Sequence, residues 1–253
     1  MIMSNNLALK LREGTSHSHT LAENTAFTKC FLKGIVEREP FRKLLADFYF
    51  LYSTLEQELE RHKDDPVISK IYFPELNRKE NLVKDLEYYY GENWAADIFP
   101  SVAGQTYVAR IREVSQTEPA LLVAHSYVRY MGDLSGGQSL KNIARSALEL
   151  PENKGTQFYE FEQIATAEAR REFKGKYRDG LNALLIDETI EEKIIEEANH
   201  AFKLNRDVVH ELEADVKEAI GDHVFELITR QAIPGATEHP HGQGHPHSVA
   251  IAE

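Results

Sequence analysis

The sequence predicts an all-α protein built as one helical domain, and three observations carry that prediction. Apolar residues recur at steps of three and four along most of the 253-residue chain, which is the helical period. No segment alternates convincingly with the period of two of a half-buried strand. No Asn-Gly or Asp-Gly stands between apolar runs where a tight hairpin would need it; Asp179 and Gly180 lie inside a helical pattern. These features predict seven or eight helices packed ridge into groove over residues 1–225, with no internal repeat. Residues 226–253 are rich in Gly, Pro and His and lack core-forming residues, so they are expected to form a flexible tail. His239, His241, His245 and His247 in that tail could bind a divalent ion weakly.

Taken in order, residues 5–38 read as a helix pair. Leu7, Leu11, Leu21, Phe27, Phe31 and Ile35 keep roughly helical spacing, broken near Gly14 and again around Asn24. Within this stretch His19 and Glu23 stand four apart and project from one face. That pattern suits a surface ion pair, and equally a metal-ligating imidazole whose second nitrogen is held by a carboxylate. His17, two residues from His19, faces elsewhere. Residues 40–62 form a strong helix with an aromatic stripe at Phe41, Phe48, Tyr49 and Tyr52, of which Tyr52 is the polar member. An extended link and a turn lead to a helix over residues 78–90, ended by Gly91, and a short helix follows at residues 105–115.

Residues 119–150 read as one long helix, opened by Pro119 at a first turn and stopped by Pro151. Its middle carries Gly132, Gly136 and Gly137, each costing roughly 0.5–1 kcal/mol against Ala in a helix interior. A helix with that penalty bends there or lets another body approach its backbone. Gly132 and Gly136 share a face, with Asp133 on the adjoining side. A close helix crossing and a flat ligand lying on bare backbone both fit. Beyond Pro151 a loop precedes a helix over residues 163–184, which places Arg170, Arg171, Lys174, Lys176 and Arg178 within nine residues. This reversal of sign suits a solvated face, a carboxylate-bearing ligand or an acidic protein partner. The last long helix is expected over residues 187–220, opened by acidic residues that favour the dipole.

Composition excludes several classes. A net charge of −12 argues against nucleic-acid binding, which needs a dominating basic surface. The apolar runs are far shorter than a membrane span, and the first residues lack the apolar core of a signal peptide, so a cytoplasmic protein without a membrane anchor is expected. The single cysteine, Cys30, rules out an intramolecular disulfide and points to a reducing compartment.

Four stretches, HTLAEN (residues 19–24), YFPELNRK (72–79), EPALLVAHSYVRYMGDLSGGQSLKNIA (118–144) and EEANHAFKLN (196–205), resemble heme oxygenase. The resemblance covers about residues 7–220, and YMGDLSGGQ alone is close to diagnostic. It implies a heme-oxygenase-like bundle with heme b held between a proximal and a glycine-kinked distal helix, of the soluble cyanobacterial and plastid kind that opens heme for bilin biosynthesis in photosynthetic cells. It further implies that His19 is the proximal ligand of the heme iron, with Glu23 holding its free ring N–H. Gly132 and Gly136 would let the distal backbone lie against the heme, and Asp133 would organise the water network that delivers protons to oxygen at the iron, supported by Arg129 and Tyr52. By the same pattern Arg12, Tyr127, Lys174 and Arg178 face the heme propionates, while Phe202 and Asn205 line the far pocket. Arg12 stands where mammalian members carry a lysine, and Met131 replaces the more frequent leucine.

The activity so implied is opening of heme at the alpha-meso carbon, using O2 and electrons from reduced ferredoxin, to biliverdin, carbon monoxide and ferrous iron. The basic run at residues 170–178 suits docking of an acidic donor, and a bilin reductase could act downstream. A non-catalytic heme carrier or sensor on the same fold is the alternative, against which a polar Asp133 beside bare backbone argues. A thiaminase-like helical enzyme would need a nucleophilic cysteine or an acidic constellation in the bundle centre, and Cys30 in CFLKG, the sole cysteine, reads as core.

Overall fold

Helix starts are set by short polar side chains that satisfy otherwise orphaned backbone N–H groups. Thr25 accepts from the Thr28 N–H, Ser101 from Gly104, Thr166 from Ala169 and Asp187 from Ile190, and a helix begins immediately after each cap. In the computed structural model, which describes residues 6–230, these caps and the apolar stripes between them produce helices and turns, with no strand among the described residues.

The order is α1 (Leu7–Gly14), α2 (Ser16–Glu23), α3 (Ala26–Leu32), α4 (Arg38–Arg61), α5 (Lys79–Tyr90), α6 (Trp94–Asp97), α7 (Val102–Thr117), α8 (Leu122–Ser126), α9 (Gly132–Ala147), α10 (Ala167–Asn182), α11 (Glu188–Glu211), α12 (Glu213–Ile220) and α13 (Asp222–Thr229). The expected helix pair at the N-terminus is three short helices, because the chain breaks at both Thr15 and Asn24. The helix expected from residue 105 starts at Val102, one residue after its Ser101 cap, and the one expected from residue 163 waits for the Thr166 cap. The last long helix stops at Glu211 and restarts at Glu213, and α13 follows after Gly221, whose φ of 82° turns the chain. Helix α13 runs across residue 225, where the sequence suggested the domain ends. The tail histidines at 239–247 lie outside the described residues.

The core centres on α4. Phe41, Leu44, Leu45, Phe48, Leu51, Tyr52, Leu55 and Leu59 are buried along it, and α5 and α7 pack on it. Helix α11 packs against α7, α2 and α8 and so joins the N-terminal helices to the middle of the chain. The long segment after Pro119 is a 3-10 turn, α8, a π-helical turn at Tyr127–Met131, and α9. A π turn inserts an extra residue into the helical ladder, and such turns often mark functional sites. This one ends where Gly132 begins, so the irregularity in the glycine-bearing helix sits one turn earlier than the glycines themselves.

Candidate functional site

Helix α2, which carries His19, is positioned by α11. Asn199 donates from Nδ2 to the Gly14 carbonyl at 3.0 Å and accepts from Ser18 Oγ at 2.6 Å. Gly14 permits this approach: a Cβ there would lie 2.7 Å from Ile195 Cγ2. On the helix so fixed, His19 Nδ1 faces Glu23 Oε2 at 3.7 Å, and Phe202 of α11 meets the imidazole edge-on with centroids 5.8 Å apart. Nδ1 is buried while the His19 side chain as a whole is 32% exposed, so the open part of the ring is the Nε2 side. His17 is exposed on another side of the helix.

The π turn brings a second group together. Arg129 is buried within it and stacks over Phe48 and Tyr52, 4.4 and 5.0 Å from the ring centroids. Its Nε donates to Tyr52 Oη at 3.0 Å, and Nη1 donates to Asn205 Oδ1. Tyr52 Oη in turn donates to the Asp133 carboxylate, which Arg129 Nη2 approaches to 4.0 Å. Four residues from three distant parts of the chain thus share one hydrogen-bonded chain, running from Asn205 through Arg129 and Tyr52 to Asp133. Burial pushes the Asp133 carboxyl up, and the Arg129 charge, the Tyr52 hydrogen bond and the Arg78 charge oppose that rise without cancelling it. Burial works against the Arg129 guanidinium, but Tyr52 and Asp133 outweigh it and hold the charge firmly.

The glycines divide their roles. Gly132 is exposed, and a Cβ built on it would meet nothing within 4 Å, so open space lies against that backbone. Gly136 is buried one turn on. Gly137 serves the close crossing: its Cβ position lies 3.5 Å from the Tyr159 ring.

The basic residues of α10 do not share one face. Arg170 caps the preceding turn through the Ala165 carbonyl at 2.6 Å, and Lys176 stacks over Phe73 and Phe173. Lys174 is buried and Arg178 is exposed one helical turn later. Arg178 and Arg12 both act on Tyr127: burial raises its phenol, and the Thr15 side chain, Arg12 and Arg178 pull it back. Arg12, Tyr127 and Arg178 therefore converge, although they stand on three different elements.

Two buried groups escape a reading of the sequence. Arg78, 2% exposed, donates to the Leu76 carbonyl at 2.7 Å and to Glu160, and stacks on Phe161 at 3.6 Å. Its place inside YFPELNRK was the available signal. Glu197 of α11 accepts from Arg110 Nε at 3.0 Å and Nη2 at 2.6 Å, and its Oε1 lies 3.0 Å from Nε2 of the fully buried His125. These partners are 87 and 72 residues apart in sequence, so no local pattern reveals them.

A family model described as heme oxygenase matches residues 5–211 of this chain. The chain belongs to the heme oxygenase family. It is 58% identical to heme oxygenase 2 of Synechocystis sp. over 248 residues, which cover 98% of this chain and 99% of that one. It is 54% identical to heme oxygenase 1 of Nostoc sp., covering 93% of this chain and 98% of the relative. Among solved structures, heme oxygenase-2 from Synechocystis sp. in complex with heme and NO superposes with a TM-score of 0.92, over 98% of this chain and all of that chain. A heme oxygenase of Leptospira interrogans reaches 0.78 at 48% identity, covering 81% of this chain and 99% of that one. Membership of the cyanobacterial type and the all-α heme oxygenase fold follow. No helix among the described residues is long and apolar enough to cross a membrane.

Proposed function

We propose that this heme oxygenase binds heme b between α2 and the α8 to α9 segment and opens it at the alpha-meso carbon to biliverdin, carbon monoxide and ferrous iron. The residues fit such a group on three counts. His19 offers Nε2 while its buried Nδ1 faces a carboxylate, the arrangement that fixes a metal-ligating imidazole. Gly132 has open space where a side chain would stand. Arg12, Tyr127 and Arg178 converge, with buried Lys174 one turn from Arg178, as a doubly charged propionate edge would require. When bound, heme supplies both the iron at which dioxygen is activated and the ring that is opened.

The remaining work falls to the chain. His19 ligates, and Glu23 and Phe202 fix the plane of its ring. Gly132 and Gly136 keep the distal backbone close and free of side chains. Asp133, whose carboxyl burial pushes up, is the member of the distal chain that can accept and release a proton, since Arg129 keeps its charge and Tyr52 is pushed far upward by burial. Tyr52 and Arg129 orient that carboxylate, and Asn205 anchors Arg129 from α11. A distal histidine has no part in this arrangement: His125, on α8, is turned to Glu197. Exposed Arg178 borders the propionate edge, and exposed Arg171 stands on the same helix; both suit an acidic donor, so reduced ferredoxin is the electron source we assign, with a bilin reductase as the consumer of the product.

The observation that carries this reading is the chain from Asn205 to Asp133 beside a glycine with open space. A carrier needs no buried carboxylate tuned by an arginine and a tyrosine. The test is to mix the protein with hemin, ferredoxin, its reductase and NADPH under air and to follow the visible spectrum. Loss of the Soret band with growth of the broad red band of biliverdin is expected, and chromatography assigns the isomer. A Soret band that shifts on reduction but persists would make the protein a heme holder.

A further inference from the structure

Helix α10 carries the cations assigned to the propionate edge, yet its own sequence holds that turn weakly. Gly175 lies between Lys174 and Arg178, a Cβ there would meet nothing within 4 Å, and glycine weakens a helix interior. The place of the turn must therefore be set by contacts from outside it. Its C-terminal end is tied to α1, where Asn182 Oδ1 accepts the Ala8 N–H at 3.0 Å. One flank rests on Phe73, which meets Phe173 and Tyr177 with ring centroids 5.3 and 5.8 Å apart.

Toward the distal segment the turn presents Tyr177. Tyr177 and Ser126, the last residue of α8, are both fully buried, and their hydroxyl oxygens lie 2.7 Å apart. Burial pushes the Tyr177 phenol up and Ser126 only partly opposes that rise, so the bond joins two neutral hydroxyls. Each partner stands beside an anchor. Ser126 immediately precedes Tyr127, and Tyr177 immediately precedes Arg178, with Lys174 one turn back on the same helix. Tyr127 in turn hydrogen-bonds the Thr15 side chain and feels both Arg12 and Arg178. The Ser126–Tyr177 bond thus joins the two elements whose relative position sets the spacing of these groups. Sliding α10 along the distal segment would orphan two buried hydroxyls at once, and that penalty makes the pair a lock on register.

We propose that the Ser126–Tyr177 hydrogen bond locks α10 against the end of α8, and that Ser126 and Tyr177 are thereby positioning residues for Lys174 and Arg178, setting how a ring with two carboxylate arms is seated and which of its edges faces Gly132. The seating role rests on the function proposed above, whereas the lock itself does not.

The lock is tested first on the whole chain free of heme, apart from any turnover. Ser126→Ala removes one oxygen, and amide hydrogen exchange across residues 174–178 should quicken about five-fold, the worth of one net hydrogen bond. Exchange at the wild-type rate overturns the lock. Tyr177→Phe should quicken exchange equally, and the double variant no further, because both changes remove the same bond. Additive effects overturn the assignment to that bond, and Ser126→Ala decides the matter if Tyr177→Phe does not fold. Seating is then read from the hyperfine-shifted methyl protons of bound ferric heme under cyanide. The wild type should show one dominant set of signals, and Ser126→Ala a second set grown about five-fold, with a matching rise in biliverdin isomers other than alpha. A loosened α10 with an unchanged methyl pattern would make the pair structural only and overturn the positioning role. Absence of biliverdin from heme-loaded wild type would instead refute the proposed function, with exchange and the methyl signals still deciding the lock and the seating.

Discussion

Replacing Tyr52 by Phe removes one oxygen and disturbs two charges. Tyr52 Oη accepts from Arg129 Nε at 3.0 Å and donates to the Asp133 carboxylate. The ring is fully buried against Phe48, Tyr130 and Phe158, and Phe preserves those contacts. A hydrogen bond to a charged group is worth about 1.5–3 kcal/mol. At about 1.4 kcal/mol per pKa unit, its loss moves the Asp133 carboxyl further up by about 1–2 units. The direction for stability follows from the same linkage. The Asp133 carboxyl lies higher in the fold than in the unfolded chain, so its contribution is fully present below its unfolded value near 3.8 and is lost as pH rises through the folded one. The variant should therefore be less stable than the wild type at high pH, with the gap narrowing as pH falls. The assay is the pH profile of biliverdin formation under saturating hemin and donor. Its acid limb should shift upward by about one unit, with heme affinity unchanged. An acid limb that stays in place would refute the idea that Tyr52 tunes Asp133.

Three further outcomes follow from the geometry. His19→Ala should still take up hemin between the remaining walls, but with an altered spectrum and little turnover; full turnover would move the ligand to another residue. Gly132→Ala separates folding from function: with nothing within 4 Å of the new methyl, the helix should gain about 0.5–1 kcal/mol in urea unfolding, while heme affinity falls because the methyl enters the space we assign to heme. Unchanged affinity would place the heme elsewhere. Glu56 is raised to about 7, chiefly by burial, yet its Oε1 accepts the Arg78 and Lys79 N–H groups, which a glutamine oxygen can also do. Wild-type stability should thus fall as pH rises from about 4.5 through 7, and Glu56→Gln should flatten that fall by on the order of 3 kcal/mol, read as the pH dependence of Tm.

The helical class and the grouping of Asp133 with the glycines are legible because their signals are local. Period, caps and the run of glycines around Asp133 all lie within a few residues of what they govern. Apolar spacing alone does not mark helix edges set by a capping side chain, as at Ser101 and Thr166, or by two abutting helices, as at Leu212. The π turn left no trace in the periodicity, since one inserted residue keeps apolar spacing at three or four. Exposed Val224 and Leu227 blurred the amphipathic pattern of α13. The basic run on α10 suited a solvated face, a ligand or a partner alike, but Arg170 and Lys176 are engaged locally, while Arg178 acts on Tyr127. The pairing of Glu197 with Arg110 and His125 is purely tertiary and could not be read from the chain.

The most direct test of the central claim is the turnover of Asp133→Asn. The amide can still accept from Tyr52 and fills the same space, so heme binding should match the wild type, but the group that exchanges a proton is gone. The account predicts heme uptake with a normal Soret band and biliverdin yield reduced by at least about a hundred-fold, the scale of one lost general acid–base group. Undiminished biliverdin from that variant would contradict it.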